Sequence, residues 1–161
     1  MITHQQQAFL DMIAHSEIGP ALLAVSDDGY NVIVGSTAAK PILFDSYRDH
    51  PRRLVTLHDQ RGNEVGRSTA AGRYQLLMRY FDAYKASLNL HDFAPEAQDA
   101  IALQQIRESK ALLDIEAGRF AVAVAKCAHI WASLPGAGYA QHENKLADLQ
   151  TAFLKSGGVL A

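Results

Sequence analysis

The chain has 161 residues, 48% of them hydrophobic and 20% charged, with a formal net charge of −2. A mean hydropathy of −0.08 excludes wholesale disorder, and apolar runs as short as residues 21–25 exclude a membrane-spanning helix. A single cysteine, Cys127, excludes an internal disulfide framework, so a single domain over residues 1–161 must be stabilised by packing.

In chain order, Thr3 and Gln6 stand three apart as a capping box, and Phe9, Leu10, Ile13 and Ala14 follow at helical spacing. Gly19-Pro20 ends this predicted helix, and residues 21–26 read as an apolar link. Asp27-Asp28-Gly29 signals a turn. Tyr30 to Val34 and Leu54 to Leu57 are short, partly β-branched strand candidates, with Arg61-Gly62-Asn63 as a hairpin turn. The chain then turns helical. Residues 73–88 carry Leu76, Leu77, Tyr80, Phe81 and Tyr84 at three and four spacing, and Pro95 starts a second helix through Ile101 and Ile106. Residues 112–117 predict a helical turn, residues 119–133 an almost wholly apolar central helix, and residues 143–155 a last helix stopped by Gly157-Gly158. The expected class is α+β, mostly helical, with a small β-hairpin lobe inserted between helices.

Charge is unevenly placed. Seven arginines (48, 52, 53, 61, 67, 73 and 79) face only Asp49, Asp59 and Glu64 in that stretch, a local net charge of +4. Such a segment either lies solvated on the surface or attracts an anionic polymer, nucleic acid or cell-wall glycan. No nucleotide-binding glycine fingerprint, nucleophile elbow or paired-cysteine spacing is present, and the seven histidines form no His-x-x-x-His pair, so neither cofactor nor metal is expected. Cys127, inside an apolar helix, reads as a core residue.

Three segments combine groups suited to a polar ligand. In the first, residues 15–20, Glu17 stands at the negative end of a helix, where the dipole and partial burial favour the protonated carboxyl that a general acid needs. The second, residues 68–75, contains Tyr74 and Gln75; the third, residues 131–141, contains Trp131, Tyr139 and Gln141. Aromatic rings stack on sugars while glutamine and backbone groups bond hydroxyls and amides.

Together with Gln7 to Met12, Gly29 to Gly35, Asp49 to Arg52, Leu54 to Leu57 and Ala71 to Leu77, these segments occur in an order that resembles the bacteriophage lambda endolysin family, phage lysozyme-like lytic transglycosylases that cut peptidoglycan. The resemblance implies a lysozyme-like fold with a glycan cleft flanked by the β-rich lobe. It makes Glu17 the catalytic acid between N-acetylmuramic acid and N-acetylglucosamine, and Tyr74, Gln75, Tyr139 and Gln141 the residues that bind substrate. It implies 1,6-anhydromuramyl products, and a monomer waiting in the host cytoplasm until a holin gives it access to the periplasmic wall, with no nucleic acid bound and no membrane insertion. The chain departs from the family after Glu17, where Ile18 precedes Gly19-Pro20, and over residues 36–43. Two alternatives stay open: a hydrolytic muramidase whose second carboxylate is Asp27, Asp28, Asp45 or Asp49, and a non-catalytic polyanion-binding module.

Overall fold

The computed structural model describes residues 1–138 and 142–161. Among them run helices α1 (His4–Glu17) and α2 (Pro20–Ala24), strands β1 (Val55–His58) and β2 (Glu64–Ser68), and helices α3 (Met78–Ser87), α4 (Pro95–Glu108), α5 (Leu112–Glu116), α6 (Phe120–Cys127) and α7 (Leu146–Lys155). The chain divides into two compact units, residues 1–17 with 102–161, and residues 18–101.

The first unit is built on α1. Its capping box forms as expected: the Gln6 amide donates to Thr3 Oγ1 at 3.1 Å and the Thr3 amide to Gln6 Oε1 at 3.3 Å. Behind this cap, Ala8, Phe9, Leu10, Met12, Ile13 and Ala14 are buried. Phe9 packs edge-on against Phe120 of α6 and Phe153 of α7, with centroids 6.2 and 6.5 Å away. The predicted central helix is shorter than residues 119–133 and is buried on one face only. Phe120, Ala123, Val124 and Cys127 point inward, whereas Val122 is 45% exposed. The apolar composition of that stretch therefore conceals an ordinary period of i, i+3, i+4 and i+7. Cys127 is core, as expected, and burial pushes its thiol up to about 12. The buried Asp114 carboxylate of α5 is bridged by Arg119 Nε at 2.8 Å and Lys126 Nζ at 2.5 Å, which ties α5 to α6.

In the second unit, the link expected over residues 21–26 is instead α2, with Pro20 at its first turn, where a missing amide is harmless. Residues 30–34 form no strand. Val32 and Ile33 make isolated bridges to Leu43 and Ala71. The expected hairpin is present: β1 and β2 pair antiparallel with a bulge between Leu57 and His58. Its turn is held by Asp59, whose Oδ1 accepts from the Arg61 and Asn63 amides at 2.8 and 2.9 Å.

The helix predicted from residue 73 begins only at Met78. Gly72 and Gln75 both adopt positive φ, 81° and 50°, and Ala71 and Leu76 exchange two backbone hydrogen bonds, so residues 71–76 form a closed turn instead. Thr69 Oγ1 then accepts from the Met78 amide at 3.0 Å and starts α3. Beneath the turn, Leu76, Phe81, Phe93 and Ile101 form a core with Phe44 at its edge.

His50 is inserted into this core, 2% exposed, with its ring 5.8 Å from Phe81 and 4.9 Å from Phe93. The Arg52 amide donates to Nδ1 at 3.0 Å, which fixes the neutral tautomer with Nε2–H donating to the Leu76 carbonyl at 2.9 Å. Burial holds the imidazole below its ordinary value. The unfolded chain thus binds a proton at about pH 6.5 that the folded chain refuses, and stability falls as pH drops below that value. Titration of the His50 ring by NMR in the folded protein is expected to give a midpoint under about 6.5. An unshifted midpoint would refute this.

Candidate active site

Glu17 is the last residue of α1. The four C-terminal carbonyls of a helix lack intrahelical donors and carry partial negative charge, a poor place for a second negative charge. Burial pushes the Glu17 carboxyl above the usual carboxylate range, and the hydroxyl and then the backbone amide of Ser133 oppose that rise. Ser133 Oγ donates to Glu17 Oε1 at 2.5 Å, a charge-assisted bond when Glu17 is ionised. Glu17 can therefore hold a proton at higher pH than an exposed carboxyl, yet it keeps a donor that stabilises it once the proton is gone.

Behind Ser133 lie two residues whose roles the sequence does not announce. Ser16 Oγ is 2.8 Å from Ser133 Oγ, and Asn144 Nδ2 is 3.0 Å from Ser16 Oγ. The Asn144 amide also donates to the Ser133 carbonyl at 2.8 Å, stitching residues 133 and 144 together. The segment around Ser133 is shaped by Glu143, whose carboxylate accepts from the Gly136 and Gly138 amides at 2.9 and 3.1 Å and is held below its ordinary value by them. Glu143, expected to open the last helix, thus braces the 135–138 turn instead, and α7 begins three residues later. A Glu shortly before an apolar run reads as a helix start, so nothing in the sequence marks this role.

Tyr74 and Gln75 belong to the second unit. Tyr74 is 4% exposed; its hydroxyl donates to Asp99 Oδ1 at 2.6 Å and accepts from Arg73 Nη1 at 3.1 Å. Tyr30 donates to the same Asp99 oxygen at 3.0 Å, and the Arg73 guanidinium lies over both rings. Burial, and in Tyr30 then Asp99, push both phenols up. Gln75 is half-buried and spends its side-chain amide on the Gly72 carbonyl at 2.9 Å. Tyr139 and Gln141 lie outside the described residues. The buried Gln98, absent from the sequence candidates, accepts from the Arg73 amide at 2.9 Å and donates to the carbonyls of Tyr30 and Phe93.

Of the four aspartates considered as a second carboxylate, three are engaged. Asp27 accepts from the Tyr47 hydroxyl, Asp28 pairs with Arg73 at 3.2 Å, and Asp49 pairs with Arg52 at 2.6 Å. The hydrogen bond from Arg52 holds the Asp49 carboxyl low. The basic segment is likewise partly neutralised: Arg52 also binds Asp82, Arg67 pairs with Glu64, and Arg73 is buried. Among the described residues, no three His, Cys, Asp or Glu side chains converge to hold a metal ion, and no helix is long and apolar enough to cross a membrane.

Comparison with known proteins gives a consistent result. The endolysin of Escherichia phage lambda is 49% identical over 99% of this chain and 95% of its own length. That of Escherichia phage P2 is 46% identical over 99% and 97%. The solved structure of bacteriophage lambda lysozyme in complex with a chitohexasaccharide superposes with a TM-score of 0.90 at 48% identity, covering 100% of this chain and 99% of that one. A second lysozyme structure from bacteriophage lambda gives 0.86 with the same coverage. The fold is therefore lysozyme-like α+β, as the sequence predicts. The Endolysin family matches residues 7–160, and the chain belongs to it.

Proposed function

We propose that this chain, acting as one catalytic domain, cleaves the β-1,4 bond between N-acetylmuramic acid and N-acetylglucosamine in peptidoglycan as a lytic transglycosylase. The observation that carries the reading is the partly buried carboxyl of Glu17, raised by its surroundings and held by Ser133. Protonated Glu17 gives its proton to the glycosidic oxygen as the bond from muramyl C1 to that oxygen breaks. The resulting carboxylate takes the proton of the muramyl C6 hydroxyl as the C6 oxygen bonds to C1. The carboxyl is restored, no water is consumed, and the new end is a 1,6-anhydro ring.

One carboxyl can do both steps because the nucleophile is tethered within the sugar, which lowers the entropic barrier to attack. A hydrolase of this size ordinarily needs a second carboxylate to handle water or the sugar. Engagement of Asp27, Asp28 and Asp49 by Tyr47, Arg73 and Arg52 favours the one-carboxyl scheme. The same ion pairs reduce the free positive charge that a polyanion-binding module would use. The saccharide-bound phage lambda lysozyme supports a glycan as ligand. Gln75, Tyr139 and Gln141 are the glycan contacts in this reading, with Tyr74 holding the turn that presents Gln75. The protein works as a monomer without cofactor, reaching the periplasmic wall from the host cytoplasm through a holin lesion.

Mass spectrometry of muropeptides released from purified Gram-negative sacculi tests this. Soluble disaccharide peptides lighter by one water than the hydrolysed species are expected. Reducing muramic ends would establish a hydrolase and redirect attention to Asp45 and its neighbours; no products would leave only binding.

A further inference from the structure

The contacts behind Glu17 have a direction. The Asn144 side-chain nitrogen lies 3.2 Å from the Ser16 carbonyl and 3.4 Å from the Ser133 carbonyl, and carbonyls only accept, so the NH₂ end of the amide must be the one turned toward Ser16 Oγ. Asn144 donates to the Ser16 hydroxyl, which polarises it to donate its own proton onward to Ser133 Oγ, 2.8 Å away. Ser133 Oγ, already accepting from Ser16, directs its single proton to Glu17 Oε1. Each hydroxyl has one proton to give, so a Ser133 that donates to Glu17 must accept from Ser16, the arrangement that the Asn144 amide favours. The order is Asn144, Ser16, Ser133, Glu17.

We infer that Asn144, Ser16 and Ser133 are positioning residues forming a one-way donor chain that keeps Ser133 a donor to Glu17 in both protonation states, so that the catalytic proton leaves and returns only on the side of the carboxyl away from Ser133. The chain ends on an amide, which neither takes up nor releases a proton at neutral pH, so it cannot carry the Glu17 proton into the protein. Protonated Glu17 therefore carries its proton on Oε2. The ionised form, needed for the second half of the reaction, meets a donor already in place and needs no rotation of Ser133. This inference rests on the assignment of Glu17 as the acid, but it concerns a property of the carboxyl that is measurable without substrate.

The test is titration of the Glu17 carboxyl carbon by ¹³C NMR in the full chain, assigned with Glu17→Gln, in the wild type and four variants. Ser133→Ala removes the hydroxyl donor and leaves the Ser133 backbone amide, so the midpoint is expected to rise by about one pH unit. Ser133→Thr keeps the hydroxyl and is expected to return it toward the wild-type value. Asn144→Leu and Ser16→Ala leave Ser133 intact but free it to reverse, accepting from protonated Glu17; each is expected to raise the midpoint by a smaller step, about 0.2 unit or more. The high-pH limb of kcat/KM on sacculi is expected to move the same way in each variant.

A midpoint unmoved in both Asn144→Leu and Ser16→Ala would overturn the one-way chain whatever Ser133→Ala does, and these two also carry the test if Ser133→Ala fails to fold. The functional reading fails separately. Shifted midpoints with a wild type that leaves sacculi intact would refute the proposed reaction and keep the chain. Active wild type, inactive Glu17→Gln and unmoved midpoints would do the reverse.

Discussion

Glu17→Gln is expected to reduce release of soluble muropeptides from sacculi by about 10³-fold or more while leaving the protein folded. The substitution keeps the size of the side chain and an oxygen that can accept from Ser133, so the contact seen at 2.5 Å is preserved in kind. What disappears is the ability to give and retake a proton, which both halves of the proposed reaction require. Stability should move the other way. A carboxyl whose folded midpoint lies above its unfolded one weakens the fold as pH rises through the interval between them, because the folded chain holds the proton longer. Glu17→Gln removes that penalty, so its melting temperature should exceed that of the wild type at pH 7 and approach it near pH 4, where both carboxyl states are protonated. Such opposition of activity and stability is a mark of a working site. Wild-type clearing rates in Glu17→Gln would dismiss Glu17 as the acid.

Gly72→Ala is expected to be the most damaging single methyl in the second unit. The backbone there has φ 81°, and an added Cβ would sit 2.2 Å from Gln98 Oε1, 2.8 Å from its Cδ and 3.0 Å from Phe93 Cζ. Gln98 cannot step aside, because it is 3% exposed and bonded to the Arg73 amide and to the carbonyls of Tyr30 and Phe93. Displacing it leaves three buried backbone groups without partners. Backbone strain of about 1 kcal/mol, with the lost hydrogen bonds and the overpacking, sums to about 4 kcal/mol or more, a fall in Tm of about 10 °C. Gly62→Ala supplies the control. Its φ is 82° but nothing lies within 4 Å of the new methyl, so it should lose only the strain, about 1 kcal/mol. Thermal melts of the two variants measure the difference, and equal losses would mean that Gln98 yields easily.

How far the sequence reveals this molecule depends on how local each cause is. The capping box of Thr3 and Gln6, the turn at residues 61–63 and the proline start of α4 are set by neighbours within four positions, and the structure has each where the pattern puts it. The helix expected from residue 73 fails for a non-local reason. Leu76, Leu77 and Tyr80 have helical spacing, but the Gly72 turn must leave room for Gln98, more than twenty residues on, and the backbone reverses there before it can coil. Likewise residues 30–34 have strand composition yet find only single bridging partners. At the candidate site, Glu17 stands out in the sequence as a carboxyl ending an amphipathic helix, and the structure places it at the end of α1. Ser133 and Asn144 do not stand out, because a serine and an asparagine acquire their part only when residues over a hundred positions apart meet. Tyr74 shows the converse: an aromatic suited to sugar stacking proves to be occupied by Asp99 and Arg73.

Cys127, the chain's sole cysteine, is fully buried with its thiol pushed up to about 12. Near neutral pH it presents almost no thiolate and no route for a bulky maleimide. The native protein is thus already a blank background for site-directed labelling. A cysteine placed at an exposed position such as Arg61 could carry a fluorophore or spin label while the native thiol stays in place, and the packing around Phe120 and Val124 would not have to be disturbed to make the probe selective.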